Sequence, residues 1–339
     1  MTVPPTPSLT AYPPASEPPA ELSDRAPGPT RSPARIAWLR FRRDRVGVAS
    51  AWTVAFFVLV ALLAPVIGWV YGRNPYTTYG VNQGGLLTPS GLPAHRFGGI
   101  SRGFWLGVEP GLGRDVFMQL VYGARTSLLI AFAVSLITTV FGVLFGAIAG
   151  YLGGKVDWVG GRIIDVALAF PGLLLLITLS PIVESKFSSP DTKLPTWMRF
   201  AVVIVVLSVL GWMTSARLIR GQVLSLRERE FIDAARMSGA STWRIVRQEL
   251  LPNLWGPILI VLSLSIPAVI TAEAALSFLG VGILEPIPDW GRMVKNGADV
   301  YSTDPTYLIA PGAALLILVI AFNLLGDSLR DALDPKGVT

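Results

Sequence analysis

The sequence predicts an all-α integral membrane protein with six membrane-spanning helices, and three observations carry that expectation. The chain of 339 residues is 52% hydrophobic and only 15% charged, where a soluble domain has roughly 25% charged residues. Its mean hydropathy is +0.56. The apolar residues are gathered into runs of membrane length, which takes about 20 residues in a helix. Six such runs lie at 47–71, 127–152, 158–183, 200–220, 254–282 and 307–329. The third and fifth exceed the hydrocarbon thickness, so tilt or a kink at Pro171 and Pro267 is expected.

Taken in order, residues 1–34 form a separate unit. Pro4, Pro5, Pro7, Pro13, Pro14, Pro18, Pro19, Pro27, Pro29 and Pro33 stand among Ser, Thr, Ala and Glu. Such a composition buries no core, so a disordered cytoplasmic tail is expected. No short apolar run follows a charged start, which argues against a signal peptide. Residues 35–72 join a basic segment (Arg35, Arg40, Arg42, Arg43, Arg45) to the first span. Lys and Arg gather on the cytoplasmic side of spans, so this end is placed in the cytoplasm.

Alternation then puts the long loop at 73–125 outside and Lys155 and Arg162 inside. The segments 184–199 and 283–306 face outward. The basic stretch carrying Arg217, Arg220, Arg227, Arg229, Arg236, Arg244 and Arg247 returns to the cytoplasm, as do residues 331–339 behind Arg330. Residues 126–330 are thus the main membrane domain of five helices. The net charge of +6 reads as topology plus contact with anionic lipid head groups, not nucleic acid.

Absences narrow the chemistry. There is no cysteine and a single histidine, His95, which excludes thiol catalysis, Cys/His zinc sites and a bis-histidine haem. GYLGGKVD at 150–157 lacks the first glycine at the proper spacing and the Ser/Thr after lysine of a phosphate loop. This chain is therefore expected to hydrolyse no ATP and to hold no metal or cofactor of its own. Two acids fall inside predicted spans, Asp165 and Glu273. Intramembrane acids mark solute paths or proton relays, yet each also suits an interhelical hydrogen bond near a span end.

One stretch is out of keeping with its surroundings: EFIDAARMSGASTWRIVRQELLPNL, residues 230–254. A helix over 225–237 ends at Ser238-Gly239, glycine being the usual C-terminal cap. Ser241 can cap a second helix over 242–250, and Pro252 suits the first turn of the next span. Ala234 and Ala235 keep a corner small enough for another surface to approach, while Asp233 and nearby arginines offer charged contacts. This describes a rigid docking knob joined to two spans; it also describes an ordinary basic cytoplasmic loop.

The stretch resembles the EAA loop of binding-protein-dependent ABC importer permeases: E-A-A, three residues, G, nine residues, I-x-L-P. Here it reads Asp233-Ala234-Ala235, Gly239 and Glu249-Leu250-Leu251-Pro252. Asp replaces the first Glu with its charge kept, and Glu249 replaces Ile. Further segments resemble the second permease subunit of the dipeptide/oligopeptide/nickel branch. They are FWLGVEPGLGRDVFMQLVYGARTSL at 104–128, IIDVALAFPGLLLLI at 163–177, EAALSFLGVG at 273–282 with Pro286, Pro288 and Trp290-Gly291, and NLLGDSLRDALDPK at 323–336. The departures are the Pro-rich tail and a Gly-rich insertion around 76–101.

This resemblance implies a type I ABC importer permease fold with a cytoplasmic coupling helix. Glu230, Asp233, Ala234, Ala235, Arg236, Gly239, Ala240, Leu251 and Pro252 would contact the ATPase. It also implies a homologous permease partner, two ATPase subunits that bind ATP and Mg, and an extracytoplasmic solute-binding protein, all at a bacterial plasma membrane. The solute would be a di- or oligopeptide, with nickel chelates, haem and glutathione as alternatives. Gly113, Arg114 and Asp115 are expected to cap an amphipathic interfacial helix bearing Val116, Phe117, Leu120 and Val121. Arg114 and Asp115 are then candidate contacts for the binding protein, and Asp165 and Glu273 candidates for the translocation path. An ion-driven carrier using Asp165 and Glu273 as its relay is the rival from another class; an intramembrane enzyme would need a nucleophile–base pair that is not visible.

Overall fold

Long apolar runs become long helices. The computed structural model describes residues 33–82, 84–187 and 195–333. The Pro-rich tail lies outside the described residues except for Pro33 and Ala34, which open the first helix, and so does Lys336. Helix α1 (Pro33–Arg43) is basic and leads into α2 (Arg45–Tyr71). Asp44 caps α2 by accepting from the Val46 N–H at 2.9 Å, and Gly72, at φ 69°, closes its far end. The loop between α2 and the next long helix holds the short α3 (Tyr79–Asn82).

Helix α4 (Val116–Leu152) follows, then α5 (Gly154–Ala169), α6 (Gly172–Phe187) and α7 (Thr196–Leu226). Next come α8 (Glu230–Met237), α9 (Thr242–Ile245), α10 (Leu251–Asn253), α11 (Trp255–Phe278), α12 (Trp290–Val300) and α13 (Pro305–Leu333). By length and composition α2, α4, α7, α11 and α13 can each cross a membrane. The pair α5–α6 makes a sixth span if its 85° bend is counted within one crossing.

That bend sits where proline dictates it. A residue before proline avoids the helical region, and Phe170 is extended at φ −75°, ψ 139°. Pro267 behaves differently, since α11 runs through it unbroken. The fifth span is also shorter than expected, because Gly280 at φ +81° takes the chain out of the helix.

The interfacial helix expected near residue 116 is not a separate element. Asp115 caps α4 itself, accepting from the Met118 N–H at 2.8 Å, and the 37-residue helix continues without a break into the span. Val116 and Val121 are buried rather than turned to an interface, because the first turns of α4 pack under α12. The Trp290 indole N–H donates to the Leu120 carbonyl at 2.8 Å. The amphipathic helix at this end of the molecule is α12, with Trp290, Gly291, Met293 and Gly297 inward and Lys295 and Asp299 exposed.

The centre of the molecule is the α4–α7 pair, and small residues let the two backbones meet. A Cβ at Gly142 would lie 2.5 Å from the Ser215 Cβ. One at Gly146 would lie 2.6 Å from the Ala216 carbonyl oxygen, and one at Gly150 3.0 Å from that of Arg220. Glycine every fourth residue puts all three on one helix face, the close-packing device of helices in lipid.

Candidate functional site

The charged stretch folds into a closed corner. Helix α8 starts after a turn at residues 227–229, so Ser225 and Leu226 end α7 instead of opening α8. Glu230 and Asp233 lie in its first turn and Arg236 in its last, each sign placed to suit the helix dipole. The corner closes with both bonds of a Schellman motif: the Ala240 N–H donates to the Ala235 carbonyl at 3.1 Å, and the Gly239 N–H to that of Arg236 at 2.9 Å. Gly239 holds φ +76° with open space around it, so backbone conformation, not crowding, requires glycine there.

The two faces of α8 do different things. Ile232 is fully buried in a cluster with Val143 and Ala147 of α4, Ile219 and Val223 of α7, and Leu254 at the entry to α11. Ala235, Ala240 and Leu251 pack against that same cluster. Glu230, Asp233, Ala234 and Met237 recur at i, i+3, i+4 and i+7 on the opposite side, and all four are exposed, Met237 at 84%. The two alanines of the motif therefore divide. Ala234 is on the open corner as expected, whereas Ala235 is turned into its own chain, and the reading of Ala235 as part of the approach surface is corrected. Leu251 likewise faces inward, and Pro252 is exposed.

The second limb of the corner also departs from expectation. Ser241 sits at the N-terminus of α9 without a side-chain cap. After Ile245 the chain makes a π-helical turn, Val246–Leu250, in which the Leu251 N–H reaches the Val246 carbonyl. Pro252 has no N–H to donate one turn back, and the wider turn passes over that missing bond. Arg236 ties the knob to α4: its guanidinium donates to Asp233 at 3.0 Å and to the Tyr151 hydroxyl at 3.5 Å and lies 5.3 Å over the Tyr151 ring. Tyr151 and Met237 were missed from sequence. Met237 follows from the helical spacing once the start of α8 is known; nothing in the sequence pairs Tyr151 with residue 236.

The other candidates scatter. Asp165 pairs with Arg217 across α5 and α7, both half-exposed. Glu273 is 1% exposed, with Ser127 donating to one carboxyl oxygen at 3.1 Å and Ser277 to the other at 3.2 Å. That enclosure makes Glu273 a joint between α4 and α11. Arg114 and Asp115 are 3% and 0% exposed, so neither offers a surface to a docking protein. Arg114 donates to Glu109 and, at 3.0 Å, to Glu285. Glu109 also accepts from Gln119 at 2.7 Å and Tyr307 at 3.2 Å. Burial pushes the Asp115 carboxyl up, against the opposing pull of the Met118 N–H and the Tyr71 hydroxyl. The network staples the loop before α4 to α13, and sequence spacing could not place residues 109, 285 and 307 together.

A groove of about 400 Å³ lies between α4, α6, α7 and α11. Its described lining is apolar apart from the hydroxyls of Thr138, Thr214, Ser215 and Ser265, and it includes no charged side chain.

Comparison with known proteins decides the family. The family model described as the binding-protein-dependent transport system inner membrane component matches residues 142–337, more than half of the chain. The chain belongs to that family. The N-terminal transmembrane domain of oligopeptide transport permease C matches residues 32–89. Among curated relatives, the dipeptide transport system permease protein DppC of Bacillus subtilis is 36% identical over 315 residues, 93% of this permease and 89% of that one. The oligopeptide transport system permease protein OppC of Bacillus subtilis is 33% identical over 300 residues, 88% of each. The glutathione transport system permease protein GsiD of Pectobacterium atrosepticum is 35% identical over 306 residues, 90% of this chain and 92% of that one.

A solved chain from the MetNI methionine ABC transporter, in inward-facing conformations, aligns with TM-score 0.51 and 20% identity over 64% of this chain and 96% of its own. At that identity the likeness bears on fold alone. The permease is thus a multi-pass, non-catalytic membrane subunit of an ABC importer, working with an ATPase and other subunits.

Proposed function

We propose that this permease forms half of a translocation path for di- and oligopeptides, paired with a homologous permease. Two ATPase subunits bind below at α8 and a solute-binding protein docks above. Both termini are cytoplasmic, and the membrane is a bacterial plasma membrane. The relatives' dipeptide, oligopeptide and glutathione solutes all share peptide chemistry. The groove between α4, α6, α7 and α11 supports that reading: hydroxyls on an apolar wall offer hydrogen bonds to a peptide backbone without selecting a charged side chain. Asp165 with Arg217 is the polar pair assigned to the same path.

One observation carries the coupling assignment. Helix α8 presents Glu230, Asp233, Ala234 and Met237 outward while Ile232 and Ala235 lock it to α4, α7 and the start of α11. A push on the outer face moves those helices as one body. ATP binding on the partner chains would close them, shift α8 and turn the path outward; hydrolysis would reset it. ATP and Mg stay on the ATPases, and this chain's own residues do the positioning.

The test separates the two faces. Ala234→Leu fills the open corner, so the permease's own unfolding free energy should change by under about 0.5 kcal/mol. Overpacking against a partner costs about 1–3 kcal/mol, roughly a tenfold or greater loss of ATPase affinity. Ala235→Leu should instead destabilise the permease itself by a similar amount. Co-elution of the ATPase subunits and peptide uptake into proteoliposomes are the readouts. A stable Ala234→Leu permease that keeps both would end the coupling assignment.

A further inference from the structure

A groove of about 550 Å³ runs along the outer end of α2. Its long wall is that membrane-spanning helix, where Leu63, Val66 and Val70 are exposed at 47%, 52% and 74%. Its lining also includes Arg73, Arg102 and Trp105. Neither arginine forms an ion pair among the described residues. Arg73 is held in place from behind, its guanidinium carbon 4.5 Å over the Tyr79 ring and 4.1 Å over Phe104. Arg102 is exposed. The Trp105 ring lies tilted against that of Tyr71, centroids 4.6 Å apart, and the Tyr71 hydroxyl accepts from the Trp105 backbone N–H at 2.9 Å. The nearby carboxylate Asp115 is fully buried, caps α4 and accepts from Tyr71; it attracts Arg73 across space without forming an ion pair, and Arg102 has no carboxylate within ion-pair distance among the described residues.

Charge and depth together select the occupant. The apolar wall belongs to a helix that crosses the bilayer, so hydrocarbon chains lie against it. The two cations sit where that wall ends, at the level of head groups, beside an aromatic pair of the kind that settles at a membrane interface. A peptide carboxylate would satisfy the arginines but has nothing to lay along Leu63, Val66 and Val70. A phosphodiester on an acyl chain satisfies both, and the volume is that of a small-molecule site.

We propose that this groove binds one glycerophospholipid with a net negative head group, its phosphate at Arg73 and Arg102 and a chain along α2. Its place in the outer leaflet rests on the topology proposed above; the binding itself does not.

The assembled transporter, purified in mild detergent from membranes containing phosphatidylglycerol, tests this by native mass spectrometry of retained lipid. Arg102→Gln should weaken retention about fivefold, the worth of one basic side chain at an anionic surface, and Arg73→Gln with Arg102→Gln should abolish it. Arg96→Gln, an exposed charge of the same loop outside the groove, should change nothing. Thermal unfolding of each variant identifies any loss caused by misfolding, and the exposed Arg102 change should leave it unmoved. Inorganic phosphate and glycerol phosphate should fail to displace the lipid, and phosphatidylcholine should be retained less. The proposal is overturned if Arg102→Gln holds lipid as the parent does. It is equally overturned if phosphatidylcholine is held equally well, or if free phosphate displaces the lipid and so marks a simple anion site. A topology reporter placing residue 90 in the cytoplasm would overturn the leaflet alone.

Discussion

Gly146→Ala should loosen the α4–α7 pair, and the structure allows the effect to be isolated. The added Cβ would stand 2.6 Å from the Ala216 carbonyl oxygen and 3.0 Å from the Arg220 nitrogen, both backbone atoms that cannot rotate away. Reaching ordinary contact requires the helices to part by about 0.8 Å, a gap that forfeits a quarter to a half of the dispersion energy of each contact opened. Overpacking of this kind costs about 1–3 kcal/mol, offset by the roughly 0.5–1 kcal/mol that alanine gains over glycine in a helix. Gly312 of α13 supplies the reference, because a Cβ there meets nothing within 4 Å. Gly312→Ala carries the same helix gain without the clash. The difference between the two variants should therefore be about 1–3 kcal/mol, the packing cost alone. Reversible unfolding by sodium dodecyl sulfate in mixed micelles, followed by helical circular dichroism, measures it. Equal unfolding free energies for the two variants would show that the α4–α7 approach is not tight.

Glu109→Ala should destabilise by about 3 kcal/mol, the lower end for breaking a buried pair, since Arg114 stays buried but keeps Glu285; a thermal melt matching the parent protein would refute the network. Gly239→Val should cost about 1–2 kcal/mol of backbone strain at φ +76° while the spans still insert, so ATPase-stimulated uptake falls further than folding yield; undiminished stimulation would remove the geometric argument. The Ser328 hydroxyl, ahead of the Val46 and Gly47 N–H groups, holds the Asp44 carboxyl below its ordinary range. Its stabilisation is therefore complete above the unfolded value and lost as pH falls through the depressed folded one. Asp44→Asn should flatten the acid limb of the stability profile, and an unchanged limb would show that Asp44 is not its source. Reporters after residue 339 and at residue 239 should score cytoplasmic and one at residue 90 external; residue 239 outside would end the coupling reading.

Sequence alone determined the apolar spans, because partitioning into lipid depends on a run's composition and not on its neighbours. It offered Pro171 and Pro267 alike as kink sites, and the fold chose between them: Phe170 leaves the helical region, while α11 runs through Pro267 unbroken. The Asp-Ala-Ala corner and its glycine were legible too, being local turn chemistry. Only the tertiary structure decided which alanine faces out, since that depends on where α8 begins, and the turn at residues 227–229 sets the phase. It also removed Arg114, Asp115 and Glu273 from the surface. A charged residue announces itself in a sequence, but its partner sits wherever the fold brings it: Arg114 with Glu285, Glu109 with Tyr307, and Glu273 with Ser127. Burial of a charge is a property of those non-local encounters, and no spacing along the chain encodes them.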